Sequence, residues 1–263
     1  MINYVFILDL DGTIIGDCVY QSEIYKIALI LNKLKIKIKI NDILDEFYNE
    51  KSKLIRPNFL HFINTISKYY SSCSFYIYTA SEKKWAEKEI GIIEKNFNIK
   101  FNRPIFTRND CIEQIIDEKK VYKKSIESIK RKIKVKDPEI IIIDDNSVYI
   151  DNMERLIKCK VYNYKYFCNY WEYIPMEKIT NKIFINYLST LIEAKRLCPI
   201  SNIQNMKQEM TKYKWLYDKC YHINKNNKKY NQDDFWLNLT NLIIDNKIKI
   251  YNNTTFKFIQ EVL

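Results

Sequence analysis

The run Tyr4-Val5-Phe6-Ile7-Leu8 is unbroken, apolar and rich in β-branched and aromatic residues, and it stops at Asp9, with Asp11, Gly12 and Thr13 directly behind. A strand without polar alternation is buried on both faces, which is the condition of a parallel sheet covered by helices. In open α/β sheets the reactive crevice lies at the carboxyl ends of the strands, so both aspartates fall where ligands bind. Gly12 permits a tight turn there. Two carboxylates that close raise one another's pKa unless a proton or a cation compensates. A divalent metal resolves the conflict, and an oxygen-only donor set beside phosphate points to magnesium.

The same design recurs twice. Ser74-Phe75-Tyr76-Ile77-Tyr78 ends in Thr79-Ala80-Ser81, and Glu139-Ile140-Ile141-Ile142-Ile143, introduced by Pro138, ends in Asp144-Asp145-Asn146. Between and around these runs the spacing of apolar residues predicts helices over 19–33, 41–54, 57–70, 85–96 and 121–134, with short strands at 104–106 and 160–163. The alternating 34–40 segment suits either a half-buried strand or an extension of the first helix. Strands alternating with helices define an α/β fold with a mostly parallel sheet flanked by helices. Beyond Arg196 the chain turns Asn- and Lys-rich, so 1–196 is read as the phosphate-handling domain and 197–263 as a helical C-terminal extension. The 14–55 segment has room for at most a small helical cap.

A chain of 263 residues that is 47% hydrophobic can bury a sizeable core. The net charge of +11 favours anionic partners, nucleic acid and phosphoprotein included. Ile, Lys, Asn and Tyr are all overused, however, and all have AT-rich codons, so genome bias explains the charge equally well. It suggests an AT-rich source such as a protozoan parasite or a large DNA virus. The 7 cysteines lack CxxC spacing and are odd in number, which speaks against a disulfide framework or a zinc site and for a reducing intracellular compartment, cytoplasm or nucleus. No signal peptide and no membrane-length apolar run is expected.

A phosphoryl group needs a nucleophile, a metal for its charge and donors for its remaining oxygens. Each of the three strand ends supplies one part. Asp9 is placed to attack phosphorus and form an aspartyl-phosphate. Asp11 is placed to protonate the leaving oxygen and later to deprotonate water. Thr79 offers a hydroxyl, and the backbone N–H groups after it, that of Ala80 first, face the same phosphate at a helix start. Asp9, Asp11 through its carbonyl, Asp144 and Asp145 make a magnesium site. A cation for the phosphate comes from the run Lys119-Lys120-Val121-Tyr122-Lys123-Lys124, whose four lysines the pattern alone does not separate.

These motifs together resemble the haloacid dehalogenase (HAD) superfamily of aspartate-based phosphohydrolases, with its Rossmann-like domain. Arg56-Pro57-Asn58-Phe59-Leu60 through Phe75-Tyr76-Ile77-Tyr78-Thr79-Ala80-Ser81 narrows the likeness to the NLI-interacting-factor-like group, the FCP/SCP phosphatases of the RNA polymerase II C-terminal domain. The resemblance extends over roughly 1–195. It implies Asp9 as nucleophile, Asp11 as acid/base, Thr79 and Lys123 as phosphate ligands, and Asp145 as the more direct metal ligand of the acidic pair, Asn146 taking that place if the register slips by one. Asp-Gly-Thr, with Gly12, is the commoner form elsewhere in the superfamily. The expected activity is a magnesium-dependent phosphoserine/phosphothreonine protein phosphatase. The competing readings are a phosphatase for a nucleotide, sugar or nucleic-acid end, favoured by Gly12 and the charge, and a binding module that keeps the fold without the chemistry.

Overall fold

The computed structural model describes residues 2–18, 22, 28–36, 53–146, 148–165 and 232–263. Four parallel strands form the central sheet: β1 (Asn3–Leu8), β2 (Cys73–Ile77), β5 (Pro138–Asp144) and β6 (Leu156–Lys158), in the order β2-β1-β5-β6. The central position of β1 follows from its sequence, since a strand with no polar residue between Tyr4 and Leu8 is stable only with a neighbour on each side and a layer on each face. Its register sets Leu8 beside Ile77 and Ile143, so all three strands run out at one level.

The two faces are built differently. Val5 and Ile7 point with Tyr76, Tyr78, Ile140 and Ile142 into a cluster closed by Phe106, Ile126 and Ile129. Phe6 and Phe75 on the opposite face stack at 5.4 Å and meet Phe62 of helix α1 (Phe59–Tyr69). Helix α2 (Lys83–Phe97) follows β2. Near the C-terminus, α4 (Phe235–Asp245) and α5 (Asn253–Val262) are helical as expected. Trp236 of α4, fully buried, packs on Phe62 at 4.7 Å and Phe59 at 5.1 Å.

The chain divides into two compact units, one formed by Met1–Asp17, Ile55–Asn163 and Gln232–Leu263, the other by Cys18–Leu54 and Tyr164–Asn231. The last helices therefore belong to the unit that holds the sheet, while position 196 lies outside the described residues. In the second unit the described helical stretch is 28–33, inside the expected 19–33 helix, with Ala28 and Leu31 buried. The 41–52 part of the next expected helix lies outside the described residues, as does 37–40 of the alternating segment, of which 34–35 form a turn.

Three expectations fail. The 121–134 segment is not one helix: Ile112–Ile116 (β3) and Lys119–Lys123 (β4) pair antiparallel as a separate hairpin, and α3 is limited to Ile126–Lys130. The turn uses Asp117 and Glu118, both at positive φ (48° and 61°), as a two-residue hairpin turn requires. Without Gly or Asn it gives no turn signal in the sequence. The strand expected at 160–163 lies earlier, at Leu156–Lys158, because Ile157 and not Val161 faces the core. The 104–106 strand reduces to one bridge, Phe106 to Tyr78.

Candidate active site

The three polar strand ends converge. Asp9 leaves β1 buried, and Asp144 ends β5 fully buried, with Asp145 directly after it. One carboxylate oxygen from each of Asp9, Asp144 and Asp145 lies within 4.8 Å of the others. The Lys124 ammonium donates to Asp9 Oδ1 at 2.6 Å and to Asp144 Oδ2 at 2.7 Å, between the rings of Tyr78 and Tyr149 at 5.7 and 5.6 Å. Burial pushes the Asp9 carboxyl well above its usual range, Lys124 pulls it back and Asp144 raises it again. Burial alone would lower the Lys124 pKa, but Asp9 and Asp144 more than offset it and the net shift is upward.

It is therefore Lys124, not Lys123, that reaches the carboxylates. Lys123 sits opposite Ile112 in the hairpin, and Lys119 and Lys120 lie further along the same strand. Lys124 is fixed by its backbone: its N–H donates to Val148 O, and its carbonyl accepts from Ile150 N. Behind it Ser125 caps α3, and Asp151 accepts from both the Ser125 hydroxyl and the Ile126 N–H.

The first loop is shaped by Gly12. With φ at +83° and a Cβ position 3.0 Å from the Asp145 carboxylate, it has neither the conformation nor the space for a side chain. The Thr13 hydroxyl accepts from the Asp145 N–H and donates to Asp145 Oδ1, so the tight approach orients that carboxylate. Asn146 donates from its side chain to Asp145 Oδ2 and from its backbone to Asp144 Oδ1.

The Asp11 carboxylate is not one of the gathered trio. Its Oδ2 accepts from Ser81 Oγ at 2.6 Å and Thr79 Oγ1 at 3.3 Å. Burial raises its pKa, with those two hydrogen bonds opposing. Thr79, expected at the phosphate, thus donates to Asp11 here, and its oxygen accepts from Ser81 N. Among the described residues the Ala80 N–H has no partner, while its carbonyl accepts from Arg108 Nε. Sequence reasoning missed Ser81 as a partner of Asp11, although its place two residues after Thr79 was a signal. It gave no hint of Thr13 as the orienter of Asp145.

The donor set fits magnesium. Three nearly or fully buried carboxylates face each other with one ammonium between two of them. Asp145 has no ion pair among the described residues, and burial, then Asp144, raise its pKa. A hard divalent cation offsets that excess of negative charge, and every ligand atom is oxygen.

Arg56, from the Arg-Pro segment, takes no part in the carboxylate cluster. Buried, it pairs through two nitrogens with Asp233 at 2.7 and 3.0 Å and lies over the rings of Phe235 and Tyr162. Its backbone N–H donates to Ile14 O, and Tyr162 N donates to Gly12 O. The C-terminal segment is thereby tied to the loop that carries Asp11.

The family model for NLI interacting factor-like phosphatases matches residues 4–170. No curated protein sequence matches the chain. Among solved structures, the fission yeast RNA polymerase II CTD phosphatase Fcp1, in a variant bound to beryllium fluoride, is 16% identical with a TM-score of 0.39 over 98% of this chain and 62% of that one. A second structure of Fcp1, described as an essential RNA polymerase II CTD phosphatase, is 15% identical with a TM-score of 0.39, covering 96% of this chain and 69% of the other.

Proposed function

The chain belongs to the NLI interacting factor-like phosphatase family, and on that premise we propose that it is a magnesium-dependent phosphatase that works through an aspartyl-phosphate on Asp9 and acts on phosphoserine or phosphothreonine in a protein. The observation that carries this reading is the Asp9 carboxylate at the end of β1, held by Lys124 at 2.6 Å beside Asp144 and Asp145. An Asp9 oxygen attacks phosphorus as the bond to the leaving oxygen breaks. Asp11, whose pKa burial raises, gives a proton to that oxygen. In the second half Asp11 takes a proton from the water that attacks the phosphorus of the acyl phosphate, which frees Asp9 and inorganic phosphate. Lys124 takes the phosphate-binding role expected of Lys123. The Ala80 N–H serves the same oxygens, and Thr79 turns to them from Asp11. Asp9 and Asp145, with Asp144 and the Asp11 carbonyl, would hold magnesium, which when bound neutralises phosphoryl charge.

The protein substrate rests on the likeness of Arg56 through Ser81 to phosphatases of the RNA polymerase II C-terminal domain. Gly12, in the Asp-Gly-Thr form, favours the second reading, a nucleotide, sugar or nucleic-acid-end phosphate. Among the described residues no helix is long and apolar enough to cross a membrane, and Cys73, Cys111 and Cys159 are free thiols, as a reducing cytoplasm or nucleus would leave them. Turnover of an aryl phosphate, of phosphopeptides with Ser-Pro repeats and of a panel of small phosphates tests the reading. Higher kcat/KM on phosphopeptides is expected. A small phosphate preferred by more than about tenfold, near 1.4 kcal/mol, would replace it with the second reading, and no turnover on any of them would leave a binding module.

A further inference from the structure

Among the described residues the hairpin β3–β4 is separate from the central sheet, and its outer strand β3 has no second neighbour. All five residues of β3 are exposed, Ile115 at 73%, Ile116 at 46% and Ile112 at 38%. Among the described residues nothing but β4 pairs with β3. Free sheet edges are normally blunted by lysine, proline, bulges or a covering segment, because they template pairing with another chain. Ile112-Glu113-Gln114-Ile115-Ile116 has no lysine and no proline.

The pleat separates two faces. Ile112, Gln114 and Ile116 share one with Lys123, Val121 and Lys119, which sit opposite them. This face is apolar and cationic with no acid, and neither Lys119 nor Lys123 has an ion pair among the described residues. On the other face Glu113 is matched by Lys120 at 2.8 Å. The hairpin also leads directly into the active site. Lys124 follows β4 without a gap, and the Ile112–Lys123 pair is the end of the hairpin next to it. On the same flank Tyr122 stacks under Arg108, which holds the Ala80 carbonyl.

We propose that the free edge of β3 is the docking site for an extended, acid-bearing segment of the phosphorylated protein substrate, which adds a strand to the hairpin beside the active site. The inference rests on the protein-phosphatase reading above. Main-chain hydrogen bonds supply the binding, and the side-chain face with Lys119 and Lys123 selects an anionic flank. A five-residue strand covers roughly 17 Å, so the recognised flank lies outside the residues that touch the phosphate. An edge of this kind gives a protein substrate an advantage that a small phosphate cannot use.

The test compares wild type with Ile115→Lys, which protects the edge, and Ile116→Glu, which reverses the charge preference, in the full chain. Three substrates are offered: a long phosphoserine peptide with β-branched, aspartate-bearing flanks, its trimmed core, and p-nitrophenyl phosphate. Both variants should lose about tenfold in kcat/KM on the long peptide, with the trimmed peptide and the aryl phosphate unchanged. In wild type, amide exchange in β3 should slow when the long peptide is present. Unchanged kinetics of the variants on the long peptide would overturn docking at β3 and leave the phosphatase reading intact. Equal losses on all three substrates would overturn it in favour of a hairpin that merely supports Lys124. Reversal of wild-type self-association by Ile115→Lys, with no change on the long peptide, would assign the edge to a second copy of the chain. Turnover of the aryl phosphate without either peptide would instead reject the protein substrate, and the docking site with it.

Discussion

Replacing Lys124 by methionine keeps most of the stem and removes the ammonium from between Asp9 and Asp144, both buried. Breaking a buried ion pair by removing one partner costs about 3–5 kcal/mol. An independent figure comes from two carboxylates about 4 Å apart, which repel by about 4 kcal/mol at an effective dielectric of 20. For a chain of this size that corresponds to a fall in Tm of roughly 6–20 °C. A proton or a divalent cation can replace the missing charge, so the loss should be largest at about pH 8 with chelator and smaller at about pH 5 or with magnesium. Activity on an aryl phosphate should fall roughly 100- to 1000-fold in kcat, the usual cost of one lost donor to developing charge. Lys123→Met, on the hairpin, should change stability by less than about 0.5 kcal/mol. Thermal unfolding at both pH values, with and without magnesium, and steady-state kinetics decide the matter. If Lys123→Met carries these losses and Lys124→Met does not, the assignment of the lysine is refuted.

Three further outcomes are expected. Glu89 of α2 is fully buried, among the described residues neither carboxylate oxygen has a hydrogen-bond partner although Lys88 Nζ lies 3.7 Å from Oε1, and burial followed by Asp11 raises its pKa to about 8. A raised carboxyl favours folding below its unfolded value near 4.5 and loses that contribution as pH rises through 8, so Glu89→Gln should flatten the decline in stability across that window, by at most roughly 5 kcal/mol in denaturant titrations. A decline of wild-type steepness in the variant would assign that window to other groups. Gly12→Ala, forced into positive φ and against the Asp145 carboxylate, should cost about 1–2 kcal/mol and weaken magnesium binding measured by calorimetry; wild-type affinity would show that the loop yields freely. Asp11→Asn should slow phosphoenzyme breakdown in rapid-quench experiments and spare formation from substrates with good leaving groups, whereas equal slowing for all leaving groups would reject its acid role.

The strand ends were legible because an uninterrupted apolar run leaves few alternatives to a central parallel strand, and the carboxylate that stops it marks the crevice. Asp9, Asp144 and Asp145 come together as that reasoning expects, with Gly12 making the approach. The lysine was not legible, since burial of Lys124 over Lys123 depends on the hairpin register and on the pairing of Lys124 with the chain around Tyr149, neither of which leaves a periodic trace. The hairpin itself was hidden by a turn of Asp117 and Glu118 that carries neither Gly nor Asn, and by a spacing over 121–134 that predicts a helix. Arg56 stood out only as part of the Arg-Pro segment, and its pairing with Asp233 spans 177 positions, beyond any local pattern.

As the nucleophile, Asp9 becomes phosphorylated during turnover. Borohydride reduces an acyl phosphate to an alcohol, so quenching the enzyme with it in the steady state of aryl phosphate hydrolysis and mapping the peptides by mass spectrometry reads the nucleophile directly. Homoserine is expected in place of Asp9, dependent on substrate and magnesium and absent from Asp9→Asn. Reduction at another aspartate, or full turnover with no reduced residue, would contradict Asp9 as the nucleophile.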